Sequence, residues 1–153
     1  MSLAKNLRKA LTDPQNASEG TVSAAAGPWQ ATAAAPRRDT IGAEVTEVTV
    51  ERKDPGPGSV QGWADNFAGK ARGLLEPLKV LEVDKGRDEA VIRSNPPSKD
   101  GSQIDYYEVK MQGTKKASVK RYRNDSGQRQ DIPFTLTHDG LGRLVDDLTG
   151  TQG

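Results

Sequence analysis

The side chains able to do chemistry are few in this sequence, and none stands in a recognisable catalytic pattern. His138 is the single histidine and is followed by Asp139. One histidine cannot hold a metal ion alone, and a catalytic triad would need partners that the sequence does not mark. Ser118 and Lys120 share one side of a predicted strand, but no oxyanion hole is indicated beside them. We therefore interpret His138 as a structural residue near the start of a helix.

The acidic residues are typical of turns and solvated faces. Asp84, Asp88 and Glu89 surround a predicted hairpin turn that lacks the alternating ligands and the central glycine of a calcium loop. Asp146 and Asp147 are adjacent on a predicted helix, so their side chains point about 100° apart. We therefore predict a protein without enzymatic activity and without a metal or another cofactor.

The composition limits both the packed core and the kind of partner. The chain has 153 residues, of which 33% are hydrophobic, with 16 Gly, 9 Pro, no Cys and a net charge of +1. The near-neutral charge excludes a global attraction to nucleic acid and leaves room for a local patch. No apolar run approaches the roughly 20 residues of a membrane-spanning helix, and the N-terminus lacks the apolar region of a signal peptide. We expect a cytoplasmic protein.

Residues 1–58 are predicted to form a flexible arm, because their alanine runs are interrupted by Gly27-Pro28 and Pro36. Two segments differ from this background. Residues 3–11 could form a short basic amphipathic helix, with a frayed terminus as the alternative, and residues 44–52 are prone to form an edge strand. The apolar residues of these segments are candidate contacts with a partner protein: Leu3, Leu7, Leu11, Val45, Val48 and Val50.

Residues 59–150 are predicted to form the folded domain, with 151–153 as a tail. A helix begins near Trp63, five strands follow between residues 78 and 136, and a last helix carries the buried stripe Leu141, Leu144, Val145 and Leu148. Short connections make the strands antiparallel. The predicted fold is α+β: an antiparallel sheet of about five strands with two helices packed on one face, preceded by the disordered N-terminal arm.

One region of the predicted sheet is basic although the whole chain is not. Residues 101–125 contain six basic residues against three acidic residues. Cationic side chains can follow the phosphates of single-stranded nucleic acid while aromatic rings stack on its bases. A sheet face kept soluble by its lysines and arginines is the alternative. The candidate nucleic-acid contacts are Lys110, Lys116, Lys120, Arg121, Tyr122 and Arg123.

The order of elements over residues 104–148 resembles that of a known family. The segment from Ile104 to Lys110, the basic strand from Lys120 to Gly127, and Phe134–Thr137 followed by a helix are similar to the strand–strand–strand–helix core of the positive-cofactor-type transcriptional coactivators. The resemblance implies a dimer that binds single-stranded DNA through a basic β surface. Phosphate contacts at Lys110, Lys120, Arg121 and Arg123 would follow from it, with Tyr122 as the stacking ring.

Two functions are consistent with these patterns. The first is a binding or assembly module without catalytic activity, whose N-terminal arm engages a partner protein or another copy of the chain. The alternative is a protein that binds single-stranded nucleic acid on the basic face of its sheet. The first hypothesis depends on an exposed arm, and the second depends on a contiguous positive face.

Overall fold

A long hairpin of two ten-residue strands organises the molecule. The computed structural model describes residues 2–152, which form three α-helices, one short 3-10 turn and twelve strands. The elements are α1 (Leu3–Thr12), the 3-10 turn (Pro14–Asn16), β1 (Thr21–Ala26), β2 (Trp29–Ala34), β3 (Arg37–Arg38), β4 (Gly42–Val45), β5 (Glu47–Arg52), α2 (Val60–Lys70), β6 (Leu78–Asp84), β7 (Glu89–Ser94), β8 (Ser98–Asp100), β9 (Gln103–Gln112), β10 (Lys116–Asp125), β11 (Gln128–Ile132), β12 (Phe134–Thr137) and α3 (His138–Gly150).

The strands form two antiparallel sheets. The large sheet has nine strands in the order β1-β2-β5-β10-β9-β7-β6, with β8 paired to β9 and β11 paired to β10. One half of β10 pairs with β5 and its other half pairs with β11. The β9–β10 hairpin therefore extends beyond the main sheet, and β8 and β11 flank this extension. The second sheet has three strands in the order β12-β4-β3.

The inner face of the large sheet is apolar and lies under the helices. Its central rows contain Val48, Val109 and Val119, which are all fully buried. Helix α1 contacts β1, β2 and α3, while α2 contacts β6 and β7. The core therefore joins the first fifty residues to the rest of the chain.

The prediction of about five strands with two helices behind a disordered arm is wrong, although an α+β fold with antiparallel sheets is confirmed. Residues 3–52 form a helix and five strands in this structure. The alanine runs lie in or beside β1 and β2, and Ala31 and Ala33 are completely buried on the inner face. Alanine has a low strand propensity, but here burial decides the structure because small side chains allow a helix to pack closely on the strand.

A single arginine ties the N-terminal segments together. The side chain of Arg38 donates hydrogen bonds to the carbonyl oxygens of Leu11, Asn16, Glu19 and Ala35. Four carbonyl groups from different segments thus share one guanidinium group, whose five N–H donors suit this role. This contact fixes the path between α1, β1 and β3.

The residues predicted to contact a partner through the arm are buried inside this chain instead. Leu3, Leu7 and Leu11 lie on the inward side of α1. The three valines lie on β4 and β5 and are fully buried. None of these six side chains is accessible to a partner, because the chain covers them with its own core: Leu3, Leu7, Leu11, Val45, Val48 and Val50.

Thr151 and Gln152, which follow α3, are also held in place. Gln152 is 5% exposed. Its amide nitrogen donates to the carbonyl oxygen of Thr114 at 2.6 Å, and its amide oxygen accepts from Arg52 at 3.1 Å. Trp63 also donates its indole N–H to the carbonyl oxygen of Leu148.

None of the helices within residues 2–152 has the length and apolarity needed to span a membrane.

Candidate binding surface on the open sheet face

The two faces of the β9–β10 hairpin differ in the side chains they carry. Strand side chains alternate between faces, and residues directly opposite each other in a pair share a face. Lys110 lies opposite Ser118, and Tyr106 lies opposite Tyr122. These residues and their neighbours on β7 and β11 form what we call the outer face: Arg93, Tyr106, Glu108, Lys110, Lys116, Ser118, Lys120, Tyr122, Arg129 and Asp131.

Two tyrosines and two arginines form the centre of the outer face. The ring centroids of Tyr106 and Tyr122 are 6.0 Å apart, and the rings are tilted by 36°. The guanidinium carbon of Arg129 lies 3.5 Å from the centroid of the Tyr122 ring, and that of Arg93 lies 5.3 Å from the centroid of the Tyr106 ring. The tyrosines are 9% and 8% exposed. A guanidinium group thus lies over each ring, and the arginine side chains remain 38% and 36% exposed.

One buried carboxylate holds both guanidinium groups in place. Glu108 accepts a hydrogen bond of 2.9 Å from Arg93 and one of 2.7 Å from Arg129. Its side chain is 3% exposed. Burial opposes the charge on Arg129, but its hydrogen bonds to Tyr122 and Glu108 outweigh burial and raise the pKa of Arg129. Two positive charges therefore share one negative charge, and the cluster keeps a surplus of one positive charge.

Three lysines follow this cluster along the outer face toward β5, where Glu51 lies opposite Lys116, and two of the three have no carboxylate oxygen at ion-pair distance. Lys120 lies 2.8 Å from Asp131, and this hydrogen bond raises the pKa of Lys120. Within residues 2–152, Lys110 and Lys116 have no carboxylate oxygen within 4.0 Å. These two ammonium groups are available to an anionic ligand without breaking an ion pair of this chain.

Arg121, which the sequence assigned to the nucleic-acid surface, lies on the inner face. Its guanidinium group donates two hydrogen bonds of 2.9 Å to Glu76, and both side chains are 5% exposed. Burial opposes ionisation of Glu76, but the hydrogen bonds from Arg121, Ser98 and Ser94 outweigh it and lower the pKa of the carboxyl. The pair fixes the segment before β6 against β10, where no phosphate can reach it.

Arg123 also lies on the inner face, at the extension of the hairpin. It donates two hydrogen bonds, of 3.0 and 3.1 Å, to Asp105. The structure therefore brings Lys110, Lys116, Lys120 and Tyr122 together on the outer face, and it separates them from Arg121 and Arg123.

Sequence reasoning missed Arg93 and Arg129, although Arg129 has a signal in the sequence. The turn Asn124–Gly127 closes a hairpin, and its register places Arg129 opposite Asn124, on the same face as Tyr122. Arg93 lies opposite Glu108 on the neighbouring strand. Counting the register from the turn at Asn124–Gly127 would have placed Arg129 on the outer face, whereas β7 and β9 are joined by a longer segment containing β8, so no tight turn gives the register of Arg93.

The single histidine lies away from this surface. His138 is 7% exposed at the start of α3, and its backbone N–H donates to the carbonyl oxygen of Ile41. Neither ring nitrogen has a hydrogen-bond partner in the part of the chain that the structure describes.

Comparisons with models of protein families, with curated proteins and with solved structures found no match to this chain. The outer face itself therefore carries the functional argument.

Proposed function

We propose that this protein is a binding module that takes single-stranded nucleic acid on the outer face of its large sheet. The observation that carries the proposal is the tyrosine pair covered by the guanidinium groups of Arg93 and Arg129, with Lys110 and Lys116 further along the same face. Planar guanidinium groups stack on bases, and ammonium groups contact phosphates without regard to sequence. The surface therefore combines the two contacts that a single strand requires.

The geometry favours a flexible single strand over a rigid duplex. The arginine planes cover the tyrosines, so an unstacked base can lie on a cationic plane that Glu108 already holds in place. A base inside a duplex is already stacked on its neighbours and offers no free ring. The binding surface that we propose lies on the sheet and not on the N-terminal segment, because the apolar residues of that segment are buried in the core.

The proposal is tested by fluorescence anisotropy with a labelled oligothymidine of about 20 nucleotides, a length that spans one binding site of this kind. If three phosphates are contacted, the slope of log K against log salt is about −2, so affinity falls roughly 20-fold between about 50 and 200 mM salt. The double variant Lys110→Glu/Lys116→Glu should lose at least about tenfold in affinity at the lower salt.

A matched control distinguishes the loss of this surface from a change in the net charge of the protein. The double variant Lys5→Glu/Lys9→Glu makes the same change in charge on α1, where both lysines are exposed. It should bind as the unaltered protein does. A polyglutamate of similar length should bind more weakly than the oligonucleotide because it has no bases to stack. Absence of oligonucleotide binding at low salt, or an equal loss in both double variants, would overturn the proposal.

A further inference from the structure

The large sheet ends in a strand whose outward edge is open. Strand β6 pairs with β7 on one side and has no neighbour on the other within residues 2–152. At the opposite end of the sheet, the amide nitrogen of Asn6 donates to the carbonyl oxygen of Ala25 on β1, so a helix side chain already occupies that strand. An open edge presents unpaired backbone donors and acceptors that another strand can complete.

A bulge gives β6 an unusual arrangement of faces. The register with β7 shifts between Val80 and Glu82, so Leu81 is the additional residue. Before the bulge, Lys79 shares the outer face with Arg93; after it, Glu82 shares that face with Val91. The inner face takes Leu78 and Val80 before the bulge and Val83 after it. The shift thus places one basic and one acidic residue, three positions apart, on the same face.

This arrangement makes β6 complementary to a second copy of itself. In an antiparallel pair with Lys79 opposite Glu82, outer residues face outer residues and Leu78 faces Val83 on the inner side. The two-fold axis then passes between Val80 and Leu81, so the two bulges face each other and the strands stay in step on either side. Each dimer gains two Lys–Glu pairs and four apolar pairs, two of Leu78 with Val83 and two of Val80 with Leu81.

We propose that two copies of this chain associate through β6 to form one continuous antiparallel sheet. The exposure of Leu81 supports a second copy as the occupant, because this side chain is 55% exposed and would lie beside Val80 of the other copy. A bulge and a lysine usually protect an edge from pairing. In this symmetric pair each lysine meets a glutamate and each bulge meets a bulge. The interface leaves the outer face free, so it is independent of nucleic-acid binding.

The test is sedimentation of the whole chain over about 5 to 500 µM, a range that covers weak dimers. The mass should rise from 16.4 kDa toward twice that value. Lys79→Glu places a glutamate opposite Glu82 of the other copy, so this variant should stay monomeric. Glu82→Lys places a lysine opposite Lys79 of the other copy, so it should stay monomeric as well. An equimolar mixture of these two variants restores both charge pairs and should again form dimers.

A mixture that dimerises also shows that both variants are folded, because a variant that failed to fold would not associate with the other; each variant is therefore first checked by circular dichroism, so that a monomeric mixture of folded variants counts against the proposal. Lys5→Glu on α1 is the control for a simple change of charge and should dimerise as the unaltered chain does. The proposal is overturned if the unaltered chain is monomeric at every concentration. It is equally overturned if Lys79→Glu dimerises normally, or if the mixture stays monomeric.

Discussion

Replacing Arg121 by methionine should damage stability far more than binding. The substitution leaves the Glu76 carboxylate, 5% exposed, with hydrogen bonds from Ser94 and Ser98 alone. Removing one partner of a buried ion pair costs about 3–5 kcal/mol of unfolding free energy, because a charge remains buried without compensation. In urea, with an m-value of about 2 kcal/mol/M, the midpoint should fall by roughly 1.5–2.5 M.

Arg123→Met, the same substitution two residues further along β10, is the control. Arg123 lies on the same face of β10 and pairs with Asp105, but its side chain is 36% exposed. Breaking an exposed pair costs little stability because water screens it, so Arg123→Met should move the midpoint by less than roughly 0.5 M.

Urea unfolding followed by tryptophan fluorescence measures both variants. Trp63 suits this purpose because it is 1% exposed in the core. Affinity for oligothymidine, measured where each variant is folded, should be unchanged in Arg121→Met. The reasoning is refuted if Arg121→Met and Arg123→Met cost the same stability, or if Arg121→Met abolishes binding while the protein remains as stable as before.

Two further predictions concern stability. The folded-state pKa of Glu76 lies below its ordinary value of 4.5, so the stability it contributes is present above that pH and is lost as the pH falls through the lowered pKa. The stability gap between the unaltered protein and Glu76→Gln, measured by urea unfolding, should therefore narrow below about pH 4.5; a constant gap would contradict the assignment. Gly56→Ala should cost about 1–3 kcal/mol because its methyl group would push the side-chain amide of Gln152 off its hydrogen bonds to Thr114 and Arg52. Gly69→Ala, in an open position on α2, should stabilise the protein by about 0.5–1 kcal/mol. A thermal melt in which Gly56→Ala is more stable than Gly69→Ala would contradict the packing at Gln152.

Strong periodicity made the last helix predictable from the sequence. Thr137 caps α3 by accepting from the N–H of Gly140, and the predicted stripe is buried: Leu141, Leu144, Val145 and Leu148. The hairpin turn at residues 124–127 was likewise marked by residues that favour turns. Local chemistry determines these features, so one sequence suffices to find them.

The N-terminal strands could not be predicted because long-range packing determines them. Val22 is buried on β1, but its neighbours are alanine, serine and threonine, which carry little apolar signal. Their order depends on contacts with α1, β5 and the side chain of Arg38. Such contacts join residues far apart in the chain, so no window of the sequence reveals them.

The candidate surface was predictable in part. Alternation along β9 and β10 correctly placed Lys110, Lys120 and Tyr122 together. The same alternation puts Arg121 with Val119 on the inner face, against its assignment to the nucleic-acid surface, and the sequence did not reveal the carboxylate that holds it. Glu76 lies 45 residues away in a segment between elements, where no periodicity indicates a contact.

The most direct test of the proposed function is to map the bound oligonucleotide by NMR. Amide shifts of the isotope-labelled protein would be followed while unlabelled oligothymidine is added. The account predicts that the largest changes cluster on β7, β9, β10 and β11, with the side-chain signals of Arg93 and Arg129 among them. Changes confined to the helices or to β6, or no changes at low salt, would contradict it.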